Sequence, residues 1–411
     1  MENSKFKIKK TKFSSYSTNG IIRGCQLCVL GNKSVLFITG LCKRGCYYCP
    51  LPESRKGINA VWVNERRLSS VNAISEAIEE IKMCSSKGVG ITGGDPLLVL
   101  DRVVKFVRAL KKTFGKTLGN QRFPAPRKSR RFSREFHIHI YLPTMNCTKT
   151  KLEKLAKSGI DEIRFHPFFL SKDEKGLQVI EQAWNLKKKY NWKVGIEIPA
   201  VPRTEKATAK FLKTVRNIDF LNLNEFEMPS VGGEVLVSKG MSTIGNSVAI
   251  KGSEKTAFEI IKLLKAAKYP IHYCSAKTKN LFQFKNRLKQ RLKNVKKPYD
   301  IVNEDSDLFH AAIYLPETKP LFNYSRKLEE IRGDKRKYSK IIEKLNTLRK
   351  IFIKEFNIPP KLIEIDRQFM RILSTPAIAK FANDIKAHGA DIALVTELPT
   401  YDRQILQLEW I

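Results

Sequence analysis

No apolar run of about 18 residues occurs anywhere in the sequence, so no transmembrane helix is indicated. The amino-terminal stretch "MENSKFKIKKTKF" carries charge but has no apolar core behind it. It does not read as a secretory leader, and the expected compartment is the cytosol. Cysteine is sparse, with 8 in 411 residues, and three of the eight crowd together. That is no disulfide framework; in a reducing compartment such a cluster reads as a metal or redox site. Disorder of the whole chain is excluded by an apolar content of 42%. The length suggests about two to three domains, although an α/β barrel can run longer as one unit.

Acidic residues are the other shortage. There are 40 of them against 76 lysines and arginines, a net charge of +36. A lysine-rich composition alone would spread that charge evenly, and it is not even. From Lys105 to Arg134 there are 11 basic residues and no acid; from Lys277 to Lys297 there are 9 and no acid. Clustered basic charge points to a polyanionic partner, most often nucleic acid. In the second segment Leu281, Phe284 or Phe282, Leu288, Leu292 and Val295 recur at helical spacing with basic residues on the other faces. Such a helix suits nucleic acid, an anionic membrane surface or an acidic partner.

From Ser34 onward, short apolar strands alternate with helical stretches. "SVLFIT" (34–39), "GVGIT" (88–92), "FHIHIYL" (136–142), "DEIRFH" (161–166), "KVGIEIPAV" (193–201), "FLNLNEFE" (220–227) and "YPIHYC" (269–274) read as strands. Helices are expected near 71–83, 103–114, 149–158, 174–190, 205–216 and 253–267. The alternation predicts parallel strands with helices outside, closed as a barrel or a partial barrel. In such folds the active site lies at the carboxyl ends of the strands. The expected organisation is an extension at 1–30, a partial barrel at 31–280 with a basic insertion at about 115–134, a basic helix at 281–299, and a smaller C-terminal α/β domain at 300–411.

The strongest chemical signal is "CKRGCYYCP" (42–50), in which Cys42, Cys46 and Cys49 are spaced Cys-x3-Cys-x2-Cys. Three thiolates on one loop can hold three irons of a cubane cluster and leave the fourth iron open. Tetrahedral zinc is the competing use, but zinc sites favour paired Cys-x2-Cys units and four protein ligands. The second signal is "TGGDPLL" (92–98), directly after a predicted strand and on the same face as the cysteines. Glycines there allow the backbone to come close to a ligand. Arg164 and His166 share one face at the end of the fourth strand. Glu197 lies on the fifth strand, and Asn222 and Asn224 share a face of the sixth. Each also reads as a polar residue satisfied by its neighbours inside a barrel, and His137 and His139 read as structural.

The three-cysteine spacing, with the aromatic Tyr48 before the third cysteine, resembles the signature of the radical S-adenosylmethionine (SAM) superfamily. Over about residues 20–280 the pattern resembles an archaeal group related to pyruvate formate-lyase activating enzymes. The resemblance implies a partial (β/α)6-type barrel. It implies a 4Fe-4S cluster on Cys42, Cys46 and Cys49, whose free iron chelates SAM. One electron from a donor of ferredoxin or flavodoxin type then cleaves the sulfonium to methionine and a 5′-deoxyadenosyl radical. Gly93, Gly94, Asp95 and Pro96 stand where the family has its GGE segment, with Asp in place of Glu. Tyr48 is implied at the SAM pocket, Arg164 and His166 at the ribose, and Glu197 near the adenosyl group. Some relatives carry further cysteines upstream. Cys25 and Cys28, in "GCQLC", are therefore a candidate auxiliary metal site, to be completed by Cys84, Cys147 or Cys274.

Three functional expectations follow. The first is modification of RNA, tRNA in particular, through segments 105–134 and 277–297. The second is modification of a protein, as in glycyl-radical activation. The third, from another class, is a zinc-dependent nucleic-acid-binding protein without catalysis.

Overall fold

The computed structural model describes residues 7–115 and 136–411. Most of the basic insertion expected at about 115–134 lies outside the described residues. The chain divides into two compact units, Met1–Gln290 and Arg291–Ile411. The division falls within the helix Lys285–Val295, inside the basic segment 281–299 expected between the barrel and the C-terminal domain.

The first unit is built on seven parallel strands: β1 (Ser34–Phe37), β2 (Gly88–Thr92), β3 (His137–Pro143), β4 (Glu162–His166), β5 (Lys193–Ala200), β6 (Phe220–Glu225) and β7 (Ile271–Cys274). They pair in sequence order, each with the next. Short antiparallel strands flank β1 and β7. The connections carry α2 (Ile74–Met83), α3 (Leu100–Phe114), α4 (Lys149–Ser158), α5 (Glu174–Tyr190), α6 (Glu205–Thr214) and α7 (Ser253–Leu263). A shorter helix, α1 (Arg23–Val29), precedes β1. This is the mixed α/β partial barrel that the alternation predicts.

Period-two alternation gives the sheet two different faces. One face is apolar: Leu36, Ile91, Ile140, Phe165, Ile196, Leu223 and Tyr273 pack under the helices with residues such as Phe106 and Val107 of α3. The other is polar and lines the lumen: His139 and Tyr141 on β3, Glu162, Arg164 and His166 on β4, Glu197 on β5, Asn222 and Asn224 on β6, and His272 on β7. Local signals bound α4 and α5 where expected. Gly159 closes α4 in the left-handed region at φ 106°, and the Asp173 side chain caps α5 through Gly176 N–H.

Residues 7–30 are not a separate extension, because α1 is built into the lumen. Gly24 N–H donates to Glu162 Oε2 at 3.3 Å. A Cβ at Gly24 would stand 2.5 Å from Arg164 Nη2 and 2.6 Å from Glu162 Oε1. Only a residue without a side chain allows that approach.

The second unit is an antiparallel sheet of β8 (Leu308–Tyr314), β9 (Ile363–Asp366), β10 (Arg371–Ser374), β11 (Asp391–Glu397) and β12 (Ile405–Trp410), in the order β9-β10-β8-β11-β12. Helices α8 (Tyr324–Gly333) and α9 (Lys335–Glu355) contribute Leu328, Leu345 and Phe352 to its core. Its buried Arg371 is held by Glu397 at 2.7 Å, Asp366 at 3.0 Å and Tyr314 Oη at 3.0 Å.

The seating of α1 predicts the sign of one substitution. Helix propensity alone would make Gly24→Ala stabilising by about 1 kcal/mol. The clash with Arg164 and Glu162 opposes this by about 1–3 kcal/mol and acts on a buried ionic group that has no room to relax. Gly24→Ala should therefore lower the urea midpoint; a higher midpoint would mean that α1 is not seated on these side chains.

Candidate active site

The loop carrying Cys42, Cys46 and Cys49 leaves the carboxyl end of β1 and is closed on itself at its base. Gly40 N–H donates to Ile58 O at 2.8 Å, and Gly57 N–H donates to Gly40 O at 2.9 Å. A Cβ at Gly40 would lie 1.8 Å from Arg55 O. Cys42 is exposed, while Cys46 and Cys49 are partly buried. Within the loop, Arg44 N–H points to Cys42 Sγ at 3.4 Å, and Cys49 N–H donates to Cys46 O at 3.1 Å.

Segment 93–96 follows β2 and lies directly against the start of this loop. Gly94 N–H donates to Thr39 O, and Asp95 N–H donates to Leu41 O, both at 2.7 Å. Gly93 has φ +140°, and a Cβ there would meet Thr39 O at 2.3 Å. At Gly94 it would meet Leu41 O at 2.2 Å. Both glycines are thus required for the backbone contact that joins the two motifs. Asp95 differs from its expected role. Its carboxylate is buried and used internally: Oδ1 accepts from Leu97 N–H at 2.9 Å, and Oδ2 accepts from Asn146 Nδ2. It caps the turn that Pro96 begins, so what the segment can offer a ligand is backbone.

A second clamp joins the cysteine loop to β4. The Arg44 guanidinium donates to His166 O and to Pro167 O, and stacks over Phe168 at 4.2 Å. Lys43 beside it is exposed. Tyr48 Oη lies 3.1 Å from His166 Nε2, and His166 Nδ1 lies 2.9 Å from Glu197 O. A carbonyl only accepts, so Nδ1 carries the proton and the Tyr48 hydroxyl donates to Nε2. Burial, with Arg44 adding to it, pushes the His166 pKa down to about 4. Burial likewise raises Tyr48, which stays a neutral phenol. Tyr48 and His166, both expected near the cofactor, are therefore brought together.

Arg164 is not where the ribose reading puts it. It is 2% exposed, inside the lumen. Nε donates to Glu162 at 2.6 Å, Nη1 to Glu197 at 2.6 Å and Tyr141 Oη at 3.3 Å, and Nη2 to Glu162 at 2.5 Å and Cys25 Sγ at 3.4 Å. Every guanidinium N–H is engaged by the protein itself, so the residue organises the lumen and has no donor left for a ligand. Burial works against the charge of Glu162, but Arg164 and His137 overcome it and hold its pKa well below the usual carboxylate range. Lys33 Nζ donates to His137 Nδ1 at 2.9 Å and His139 Nδ1 at 2.6 Å, and burial lowers its pKa to about 8. The Glu197 carboxylate accepts from Asn222 at 2.8 Å and Asn224 at 2.9 Å besides Arg164, which leaves its side chain similarly committed.

Cys25 and Cys28 lie on α1, facing this network. Cys25 Sγ accepts from Asn222 Nδ2 at 3.1 Å, and burial pushes its pKa up to about 12. It is a buried thiol with protein partners. Among the described residues no three His, Cys, Asp or Glu side chains are gathered to hold a single metal ion. A cubane places a different demand on the loop: each cysteine binds its own iron, so three thiols on one exposed loop suit it without meeting at a point. The donor set and the glycine cradle beside it fit a cluster with an open iron. Sequence reasoning missed Arg44 as a clamp and His272, described below; nothing in their local sequence marks either.

The basic segment 277–297 is partly consumed by the fold. Arg287 forms a bidentate pair with Glu65 at 2.6 and 2.9 Å, Lys279 bonds Glu227 at 2.7 Å, and Leu288 is buried.

The family model of the radical SAM superfamily matches residues 36–220. A protein of Methanocaldococcus jannaschii, named provisionally as a glycyl-radical enzyme activating enzyme, is 39% identical over 324 residues, 78% of this chain and 80% of its own length. Among solved structures, methylornithine synthase is 14% identical, with a TM-score of 0.36, covering 59% of this chain and 70% of that one. The radical SAM methyltransferase TsrM of Kitasatospora setae is 11% identical, with a TM-score of 0.35, covering 67% of this chain and 55% of that one.

The buried imidazoles set a pH dependence. His166 and His272 both have folded-state pKa values of about 4, lowered chiefly by burial, against about 6.5 unfolded. A base depressed in the fold binds protons better when unfolded. Its contribution is complete above about pH 6.5 and is lost as pH falls toward 4. Urea titrations should show stability falling over that window, by about 3 kcal/mol for the fully buried His272. A flat profile from pH 6.5 to 4 would contradict the burial of these rings.

Proposed function

Because the chain belongs to the radical SAM superfamily, we propose that this enzyme reductively cleaves SAM and uses the resulting 5′-deoxyadenosyl radical to take a hydrogen atom from a protein substrate, as in glycyl-radical activation. The observation that carries the reading is the three-thiol loop fastened by backbone hydrogen bonds to Gly94 and Asp95. Cys42, Cys46 and Cys49 would hold a 4Fe-4S cluster. When bound, that cluster supplies the electron that breaks the sulfonium C–S bond of SAM.

The chain's own residues place the cofactor and keep the site in register. Gly93 and Gly94 let backbone approach the SAM amino-acid end. Pro96 and the internally bonded Asp95 fix that backbone. Tyr48, held by His166, presents a neutral aromatic wall beside Cys49, and Arg44 ties the loop to the end of β4. The Arg164–Glu162–Glu197 group acts below as a positioning scaffold. An external donor of ferredoxin or flavodoxin type supplies the electron. The proposed compartment is the cytoplasm; among the described residues no helix is long and apolar enough to cross a membrane.

A protein substrate has the better support. The relative that shares most of its length with this chain is named for activating glycyl-radical enzymes. The RNA reading rested on two basic segments. One lies largely outside the described residues, and in the other Arg287 and Lys279 are spent on internal ion pairs.

Two experiments test the proposal. Anaerobically reconstituted protein should be brown and yield 5′-deoxyadenosine from SAM on reduction, and Cys46→Ala should lose at least about a thousandfold of that yield, the scale of removing a cofactor's ligand set. Equal yield from the variant would contradict the ligand assignment. For the substrate, soluble proteins labelled with α-dideuterated glycine should pass deuterium into 5′-deoxyadenosine, while bulk RNA made from deuterated nucleotides should not. Deuterium from RNA and none from protein would reverse the choice.

A further inference from the structure

Two polar side chains on neighbouring strands face the lumen with polar atoms left unbonded among the described residues. Asn222 on β6 and His272 on β7 are directly paired in the sheet register. Each is 2% exposed. Asn222 Oδ1 and both ring nitrogens of His272 have no hydrogen-bond partner among the described residues. Buried polar groups are normally satisfied, and three orphaned atoms on adjacent rungs need a cause.

The orientation of Asn222 is fixed by its other end. Nδ2 donates to Glu197 Oε2 at 2.8 Å and to Cys25 Sγ at 3.1 Å. A flipped amide would set Oδ1 against the Glu197 carboxylate, so Oδ1 is the atom turned to the lumen. The rung is also well placed. Asn222 pairs with Glu197 across β5, and the Glu197 carbonyl accepts from His166, which in turn holds Tyr48 of the cysteine loop. In strand order β6 and β7 are the members farthest from β1 and β2, whose ends carry the cysteines and Gly93–Gly94. The pair thus shares the level of the candidate cofactor residues and lies across the sheet from them.

We infer that Asn222 and His272 are a substrate-positioning pair that receives a neutral group able both to donate and to accept, namely the peptide backbone of one substrate residue. Oδ1 needs a donor, which a carboxylate lacks. The imidazole N–H needs an acceptor, which an ammonium lacks. Charge at the pair is balanced, with Glu197 against Arg164, so neither ion is favoured. The N–H of one extended residue meets Asn222 Oδ1, and the C=O of that same residue, which points to the same side, accepts from His272. This rests on the protein-substrate reading above. A hydroxyl, such as those of the SAM ribose, has the same chemistry and is separated by the test.

The probe is N-acetylglycine N-methylamide, titrated into the reconstituted full-length protein labelled with 13C,15N-histidine. The His272 ring signal, identified by its loss in His272→Phe, should shift saturably with the probe. His272→Phe removes an unsatisfied buried polar group while keeping a ring. It should raise Tm by about 2 °C or more and weaken probe binding at least about tenfold, one hydrogen bond lost in a dry site. His272→Gln, which keeps a donor and an acceptor, should stay within about threefold of the parent, a change well below one hydrogen bond. The inference is overturned if SAM alone moves the signal and the probe does not, if neither moves it, or if His272→Phe lowers Tm and leaves probe binding unchanged. If the wild-type chain cleaves SAM but does not bind the probe, this inference falls alone. If it does not cleave SAM, the reading of the preceding subsection falls first.

Discussion

The contact on which the site depends is a backbone one: Gly93 and Gly94 lying against Thr39–Leu41. It joins the ends of two adjacent parallel strands. From the first springs the cysteine loop; from the second comes the segment that would meet the SAM amino-acid end. Two hydrogen bonds of 2.7 Å fix their separation. Any side chain at either glycine would drive backbone carbonyls apart. A cofactor that must touch both an iron and a backbone segment needs that separation held constant, and here it is held by main chain and not by rotatable side chains.

Below this contact the lumen is ionic where a smaller barrel would be apolar. Arg164 lies between Glu162 and Glu197, Lys33 serves two histidines, and α1 closes the amino end with Gly24 pressed on the ion pair. Such a buried group is weak evidence for stability, because desolvation offsets much of the attraction. Its value is geometric. Glu197 is held by three side chains while its carbonyl orients His166, and His166 orients Tyr48. A rigid polar floor thereby sets the wall beside the third cysteine. Where the floor meets β6 and β7, Asn222 Oδ1 and both ring nitrogens of His272 have no hydrogen-bond partner among the described residues, and their adjacency on one face of the lumen is what makes them informative.

Much of this was legible in the sequence because the signals are local. The spacing of Cys42, Cys46 and Cys49 and the Gly93–Gly94 pair lie within single loops, and strand alternation needs only neighbours. The bounds of α4 at 149–158, closed by Gly159, were legible for the same reason. What was not legible depends on partners far apart in the chain. Cys25 and Cys28 look like half of a metal site, but their environment is set by Arg164 and Asn222, at least 136 positions away in the numbering. Arg164 was expected at the ribose because it stands near the end of the fourth strand, where the resemblance implies that contact; its partners Glu197 and Cys25 lie elsewhere in the chain. His272 carries no motif; only the absence of a partner in three dimensions marks it. The basic run at 277–297 overstated free charge, because Glu65 and Glu227 could not be paired to it from sequence.

The central claim is that three thiols leave one iron for SAM. Electron paramagnetic resonance of the reduced protein, with and without SAM carrying 17O in its carboxylate, tests it most directly. The account predicts that SAM alters the spectrum of the reduced cluster and that the label broadens it, since the carboxylate binds the open iron. Identical spectra with and without SAM, from protein of full iron content, would contradict it.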